Sequence, residues 1–359
     1  MTGEQGRRMH LDGLRGVAVL CVLAEHFSGE PARYFDFGYY GVDLFFVLSG
    51  FLITGILLRQ KSQGLMQGLV VFTGRRAFRI FPLYYLVLAI MFSFDLMGAR
   101  AFALPLSTYS WNYFCHDGGP FYLWSLSVEE QFYVFWPFVV LLMRARPLVL
   151  AACTLIFCVA SYWQILFHTV SWLNVYNYTG LPNRMGSLCL GAAGALLHAY
   201  HPDWWRGLKH PICEVFALVA IIVSMMSLRQ AGGMPYFSAA LVVQGLCSLL
   251  LVLICWDGAP SFGPLERLLG SSLMRRLGVV SYGVYLIHLP LGEWFRSTVF
   301  GPLWHSIPFD SIAGLGWVRW HSWIFSFPLC SFLCYGVALL SWRFVEKPLL
   351  DRRDRLFPS

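Results

Sequence analysis

Arg15 and His26 stand eleven residues apart in the first apolar stretch of the sequence. On a helix that spacing ends about 20° past three full turns, so both side chains share one face, roughly 16.5 Å apart along the axis. An imidazole, with an unperturbed pKa of about 6.5, exchanges protons near neutral pH, and a neighbouring carboxylate can orient the ring. Two other apolar stretches supply carboxylates. Gly41-Val42-Asp43-Leu44-Phe45-Phe46-Val47-Leu48-Ser49-Gly50-Phe51-Leu52-Ile53 carries Asp43, and Trp124-Ser125-Leu126-Ser127-Val128-Glu129-Glu130-Gln131-Phe132-Tyr133 carries Glu129 and Glu130. Entered from the outer side, both stretches place their carboxylates at the depth of His26. Polar glue between helices accounts for one or two such residues, but four at one level favour a reactive site.

A second group is basic. In Arg75-Arg76-Ala77-Phe78-Arg79-Ile80-Phe81-Pro82-Leu83-Tyr84-Tyr85, Arg76 and Arg79 are three apart on a helix start and can grip one anion together. Ordinary topological charge is the competing explanation. Ser281-Tyr282-Gly283-Val284-Tyr285-Leu286-Ile287-His288 puts hydroxyls mid-membrane. Its His288, near the outer end, reads as a satisfied structural histidine.

The elements that must position these residues follow from composition. Of 359 residues, 57% are hydrophobic, 17% aromatic and only 13% charged, with mean hydropathy +0.60. Soluble chains carry about 25% charged residues, so this one cannot coat a water-facing surface. An all-α polytopic membrane protein remains, as a single domain over 1–359. Nine of the ten cysteines fall in apolar stretches and only Cys115 in a loop. No CxxC or metal-ligand spacing occurs, so no metal is expected.

Ten stretches are long enough to cross about 30 Å of hydrocarbon: about 11 to 28, 38 to 58, 78 to 97, 122 to 143, 147 to 167, 180 to 198, 211 to 228, 236 to 256, 276 to 295 and 321 to 344. With a cytoplasmic N-terminus, 19 of the 26 Lys and Arg residues face the cytoplasm against 5 opposite, and Arg15 and Arg184 lie inside spans. The net charge of +7 is therefore a one-sided positive surface rather than a nucleic-acid footprint. The first stretch holds Arg15, Glu25 and His26 and does not read as a signal peptide. Trp111, Asn112, Trp304 and Trp317 suit sugars, but equally an interfacial aromatic belt, and receive no site role.

The sequence resembles the acyltransferase-3 family of integral membrane acyltransferases over nearly its whole length. Matching motifs run in order: Leu11-Asp12-Gly13-Leu14-Arg15-Gly16 followed by His26, the Gly41 to Ile53 run, the Arg75 to Tyr85 run and Trp124 to Tyr133. Ser281 to His288 and Trp342-Arg343-Phe344-Val345-Glu346-Lys347-Pro348 look like the last two elements. The resemblance implies O-acylation, usually O-acetylation, of a periplasmic or cell-surface glycan such as lipopolysaccharide O-antigen, in a bacterial inner membrane, from cytoplasmic acetyl-CoA. It implies His26 as the catalytic histidine and Arg76 and Arg79 as donor contacts. Many relatives add an extra helix and a periplasmic hydrolase-like domain, both expected to be absent here.

Read against that chemistry, Arg15, Arg75, Arg76 and Arg79 form a cationic platform for the donor's phosphates. His26 is the general base, with Glu130 or Asp43 to orient it and Glu129 behind. A covalent acyl-His26 intermediate stays open beside direct transfer. The partners expected are a glycan or glycolipid acceptor and membrane lipid. The rival class is a transporter of acyl groups or small solutes, with the intramembrane groups as a proton relay. No inverted repeat favours it.

Overall fold

Each predicted apolar stretch is helical in the computed structural model, which describes residues 3–60, 64–115, 118–167, 178–204, 206–230, 234–308, 318 and 321–357. Lys61, Trp317 and Arg319 lie outside these. The main helices are α1 (Gly3–Phe27), α2 (Phe37–Arg59), α3 (Leu65–Phe94), α4 (Trp124–Met143), α5 (Pro147–Phe167), α6 (Leu181–Tyr200), α7 (Pro211–Gln230) and α8 (Met234–Trp256). They continue as α9 (Gly263–Gly270), α10 (Ser272–Val279), α11 (Ser281–Phe295), α12 (Gly301–Ser306), α13 (Trp323–Ser341) and α14 (Lys347–Leu356). No strand occurs among the described residues.

Among the described residues, six segments can cross a membrane by length and composition: Phe37–Arg59, Leu65–Phe94, Phe121–Met143, Pro147–Phe167, Ala239–Trp256 and Trp323–Leu356. Large apolar side chains such as Phe94, Leu148, Ile212, Phe216 and Phe332 stand exposed on the helices. A water-facing protein rarely tolerates such a surface, and lipid requires it. The chain is an all-α polytopic membrane protein.

α1 is central. Leu11, Leu14 and Ala18 pack into one apolar cluster with Leu44 and Leu48 of α2. Val19, Leu23 and Phe27 pack into another with Val284 of α11 and Cys330 and Cys334 of α13. Lipid tails are as apolar as leucine, so close backbone approach does much of the holding. α2 and α6 touch in this way: a Cβ on Gly50 would come within 1.8 Å of the Leu188 carbonyl oxygen, and one on Gly191 within 2.0 Å of that of Val47.

Two predicted boundaries move. The third helix starts at Leu65, not near 78, because arginine is a good helix former and the charged run at 75 to 79 continues the helix. The ninth stretch is not one helix from 276 to 295. Val280 leaves helical geometry (φ −99°, ψ 8°), ending α10 before α11 begins. α10 crosses α1 so tightly that a Cβ on Gly278 would lie 1.7 Å from the Asp12 carbonyl oxygen.

Candidate active site

An inner cavity of about 860 Å³, open solvent at its mouth included, is lined by Arg15 of α1, Arg76 and Arg79 of α3, and Glu129, Glu130 and Tyr133 of α4. Arg76 and Arg79 are three positions apart, which turns both to one face of α3. The Arg76 guanidinium lies over the Tyr133 ring, 4.5 Å from its centroid. Ser49 of α2 donates to Glu129 Oε1 at 2.6 Å, and the Tyr133 hydroxyl donates to Ser49 Oγ at 3.1 Å. Arg15 pairs with Asp12 at 2.9 Å. Among the described residues neither Arg76 nor Arg79 has a carboxylate within ion-pair distance.

Arg75 faces elsewhere. It donates to the Phe357 carbonyl and, at 3.1 Å, to Asp354, both past or in the last helical turn of α14. Of the four expected platform arginines, the structure therefore gathers Arg15, Arg76 and Arg79 and gives Arg75 to the C-terminal segment.

His26 sits at the end of α1, its ring centroid 5.1 Å from that of His288 on α11. Arg296 donates to the His26 carbonyl at 3.3 Å. His288 is fully buried, with Nδ1 2.6 Å from the Tyr285 carbonyl oxygen. A carbonyl only accepts, so Nδ1 carries the proton and Nε2 is left as an acceptor. Among the described residues that Nε2 has no hydrogen-bond partner. The Tyr122 ring meets His288 edge-on at 5.0 Å. The Tyr285 hydroxyl donates to the Tyr122 carbonyl at 2.7 Å and shares a 2.6 Å bond with Ser125 Oγ. Ser125 and Tyr285 both line the inner cavity, which therefore ends within one turn of α11 from the two imidazoles.

The expected cluster of His26, Asp43, Glu129 and Glu130 is not one group in space. Asp43 accepts from Arg184 at 3.3 Å and Ser187 at 3.0 Å, all three buried, and so clamps α2 to α6. Glu129 and Glu130 belong to the arginine-lined cavity. The bonds and the cavity lining that place these three carboxylates do not include His26. Sequence reasoning left Arg184 and His288 without roles. A charge within a span demands a partner, which was the available signal for Arg184; for His288 it was its predicted depth, shared with His26.

The family model for the acyltransferase domain of acyltransferase-3 proteins matches residues 10–342. The chain belongs to the acyltransferase-3 family. Among curated members, YrhL of Bacillus subtilis (strain 168), provisionally named a peptidoglycan O-acetyltransferase, is 30% identical over 377 residues, covering 97% of this chain and 55% of YrhL. The peptidoglycan O-acetyltransferase OatA of Listeria monocytogenes is 26% identical, covering 78% of this chain and 49% of OatA. The O-acetyltransferase OatA of Staphylococcus aureus (strain NCTC 8325 / PS 47) is 24% identical, covering 97% and 58%. This acyltransferase-3 chain thus spans about half the length of these relatives. No solved structure matches it.

Proposed function

We propose that the chain is an O-acetyltransferase of a bacterial inner membrane, crossing it ten times with both termini cytoplasmic, that moves acetyl from cytoplasmic acetyl-CoA to a hydroxyl of an extracytoplasmic glycan. One observation carries this reading: two guanidiniums without ion pairs, Arg76 and Arg79, line a cavity that ends within a helical turn of two imidazoles. Phosphates suit such a pair, since charge-assisted bonds to guanidinium are strong and directional.

His26 acts as general base. The glycan hydroxyl oxygen attacks the thioester carbonyl carbon, a C–O bond forms as the C–S bond breaks, and the hydroxyl proton passes to His26 and then to the departing thiolate. His288 is its positioning residue: with Nδ1 fixed on Tyr285 and its ring 5.1 Å from that of His26, its open Nε2 accepts the N–H of His26 once substrates bind and keeps the other nitrogen of His26 unprotonated toward the acceptor. Glu129, bonded to Ser49, and Glu130 line the arginine cavity instead of orienting the base. Peptidoglycan, the acceptor in the names of two relatives, is the first glycan to assay, and lipopolysaccharide O-antigen the second.

The test measures acetyl esters on both glycans in a deletion strain complemented with wild type or His26→Ala. General-base removal costs about 10²- to 10⁴-fold, so esters return with wild type and not with the variant. Unchanged esters on deletion, for both glycans, overturn the reading. Radiolabelled acetyl-CoA without acceptor should leave no stable label on the protein; a label that needs His26 would replace direct transfer by an acyl-histidine.

A further inference from the structure

A second cavity, about 1500 Å³ with its open mouth included, lies at the other end of α11. Its walls are Leu96 and Met97 just past α3, the stretch from Pro290 through a π-helical turn (Arg296–Phe300) into α12, and Ser322 and Ser326 at the start of α13. Tyr285 borders the inner cavity and Glu293 the outer one. Eight residues of helix place them about 12 Å apart along α11, and His288 falls between.

Glu293, Trp294, Arg296 and Trp304 give this cavity its chemistry. Trp294 is 52% exposed, and Trp304 is stacked on Phe300 with centroids 5.4 Å apart. An interfacial aromatic belt explains indoles at this level without any ligand. It does not explain the charges. Glu293 and Arg296 have the i, i+3 spacing at which Asp12 and Arg15, and Glu30 and Arg33, close salt bridges elsewhere in this chain. Here they stay apart. Among the described residues the Glu293 carboxylate has no ion-pair or hydrogen-bond partner, and the Arg296 guanidinium donates only to the His26 carbonyl. An unspent acceptor and a partly unspent donor fork thus face one space beside indole surfaces.

We infer that the outer cavity is a saccharide subsite, in which Trp294 stacks on a pyranose ring and Glu293 and Arg296 hydrogen-bond its hydroxyls. A sugar is neutral, carries donors and acceptors together, and has apolar ring faces, which is the complement of this lining. A lipid phosphate would instead find a carboxylate opposing it. The bond from Arg296 to the His26 carbonyl anchors the bound ring beside the base. The assignment of this sugar as the acetyl acceptor rests on the proposed acetyl transfer; its binding does not.

The experiment is equilibrium dialysis of the full chain in lipid nanodiscs without donor, using radiolabelled chitotetraose, a soluble N-acetylglucosamine–N-acetylmuramic acid tetrasaccharide and isomaltotetraose. Binding of at least one probe is expected, weakened tenfold or more by Glu293→Gln and by Trp294→Ala, with acetyl-CoA affinity within twofold of wild type. Absence of binding for all three probes at up to about 10 mM, a range that includes weak complexes, overturns the subsite. So do variants that bind like wild type, variants that lose donor and saccharide together, or displacement of the saccharide by glycerol phosphate. Saccharide binding that depends on Glu293, in a protein that transfers no acetyl to any glycan, leaves the subsite standing and removes the proposed activity.

Discussion

Three guanidiniums and two carboxylates line the inner cavity, walled by α1, α2, α3, α4 and α11, whereas the outer cavity sets one carboxylate and one guanidinium apart among indoles and serine hydroxyls. The first concentrates positive charge in a confined, low-dielectric space, where it acts far more strongly on an anion than it would in water. The second is wider and balanced in sign, and selects by shape and hydrogen bonding. On the proposed reading the two ends of α11 serve a polyanion and a neutral polyol, and one helix sets their separation.

Breaking the clamp between α2 and α6 should have the largest effect. Arg184→Met leaves Asp43 buried and unpaired, a change that costs about 3–5 kcal/mol in buried ion pairs. Thermal unfolding in detergent should show a large loss of stability, with donor and saccharide binding failing together; independent loss of either would show that α2 and α6 do not support both sites. Next, Arg76→Ala with Arg79→Ala removes charge-assisted bonds of about 1.5–3 kcal/mol each. Donor KM should rise tenfold or more with saccharide affinity unchanged, and an equal change in both would erase the distinction between the cavities.

A smaller effect belongs to the partition between them. His288→Ala should lower kcat about 10- to 100-fold, as loss of a positioning partner does, while both binding constants hold; a shift in KM instead would place His288 in a binding site. The smallest is Arg75→Ala, which should leave donor KM within twofold because Arg75 is engaged by Asp354 and Phe357.

Hydropathy made the helices legible, and the spacing of Arg76 and Arg79 showed that they share a face. The same arithmetic separates Arg75 from Arg76 by about 100° of helix, but it cannot say which direction meets a cavity and which meets α14. Asp43, Glu129 and Glu130 could be assigned a common depth. Depth is one coordinate of three, and the partner of Asp43 lies 141 residues away on a helix whose rotation no local pattern fixes. The break at Val280 is equally hidden, since the apolar run passes through it and the close approach of Gly278 to α1 beside it is a tertiary contact that no local pattern encodes.

The hydrogen bond from His288 Nδ1 to the Tyr285 carbonyl bears on the energy economy of the host membrane. A hydroxyl or an imidazole can take a proton on one side and release it on the other, but a backbone carbonyl has no proton to pass on. The bond leading from His288 toward the inner cavity ends on the Tyr285 carbonyl, and the bond from the Tyr285 hydroxyl ends on that of Tyr122. Neither of these two bonds can therefore relay a proton between the cavities, which is what a bilayer holding an electrochemical gradient requires of them.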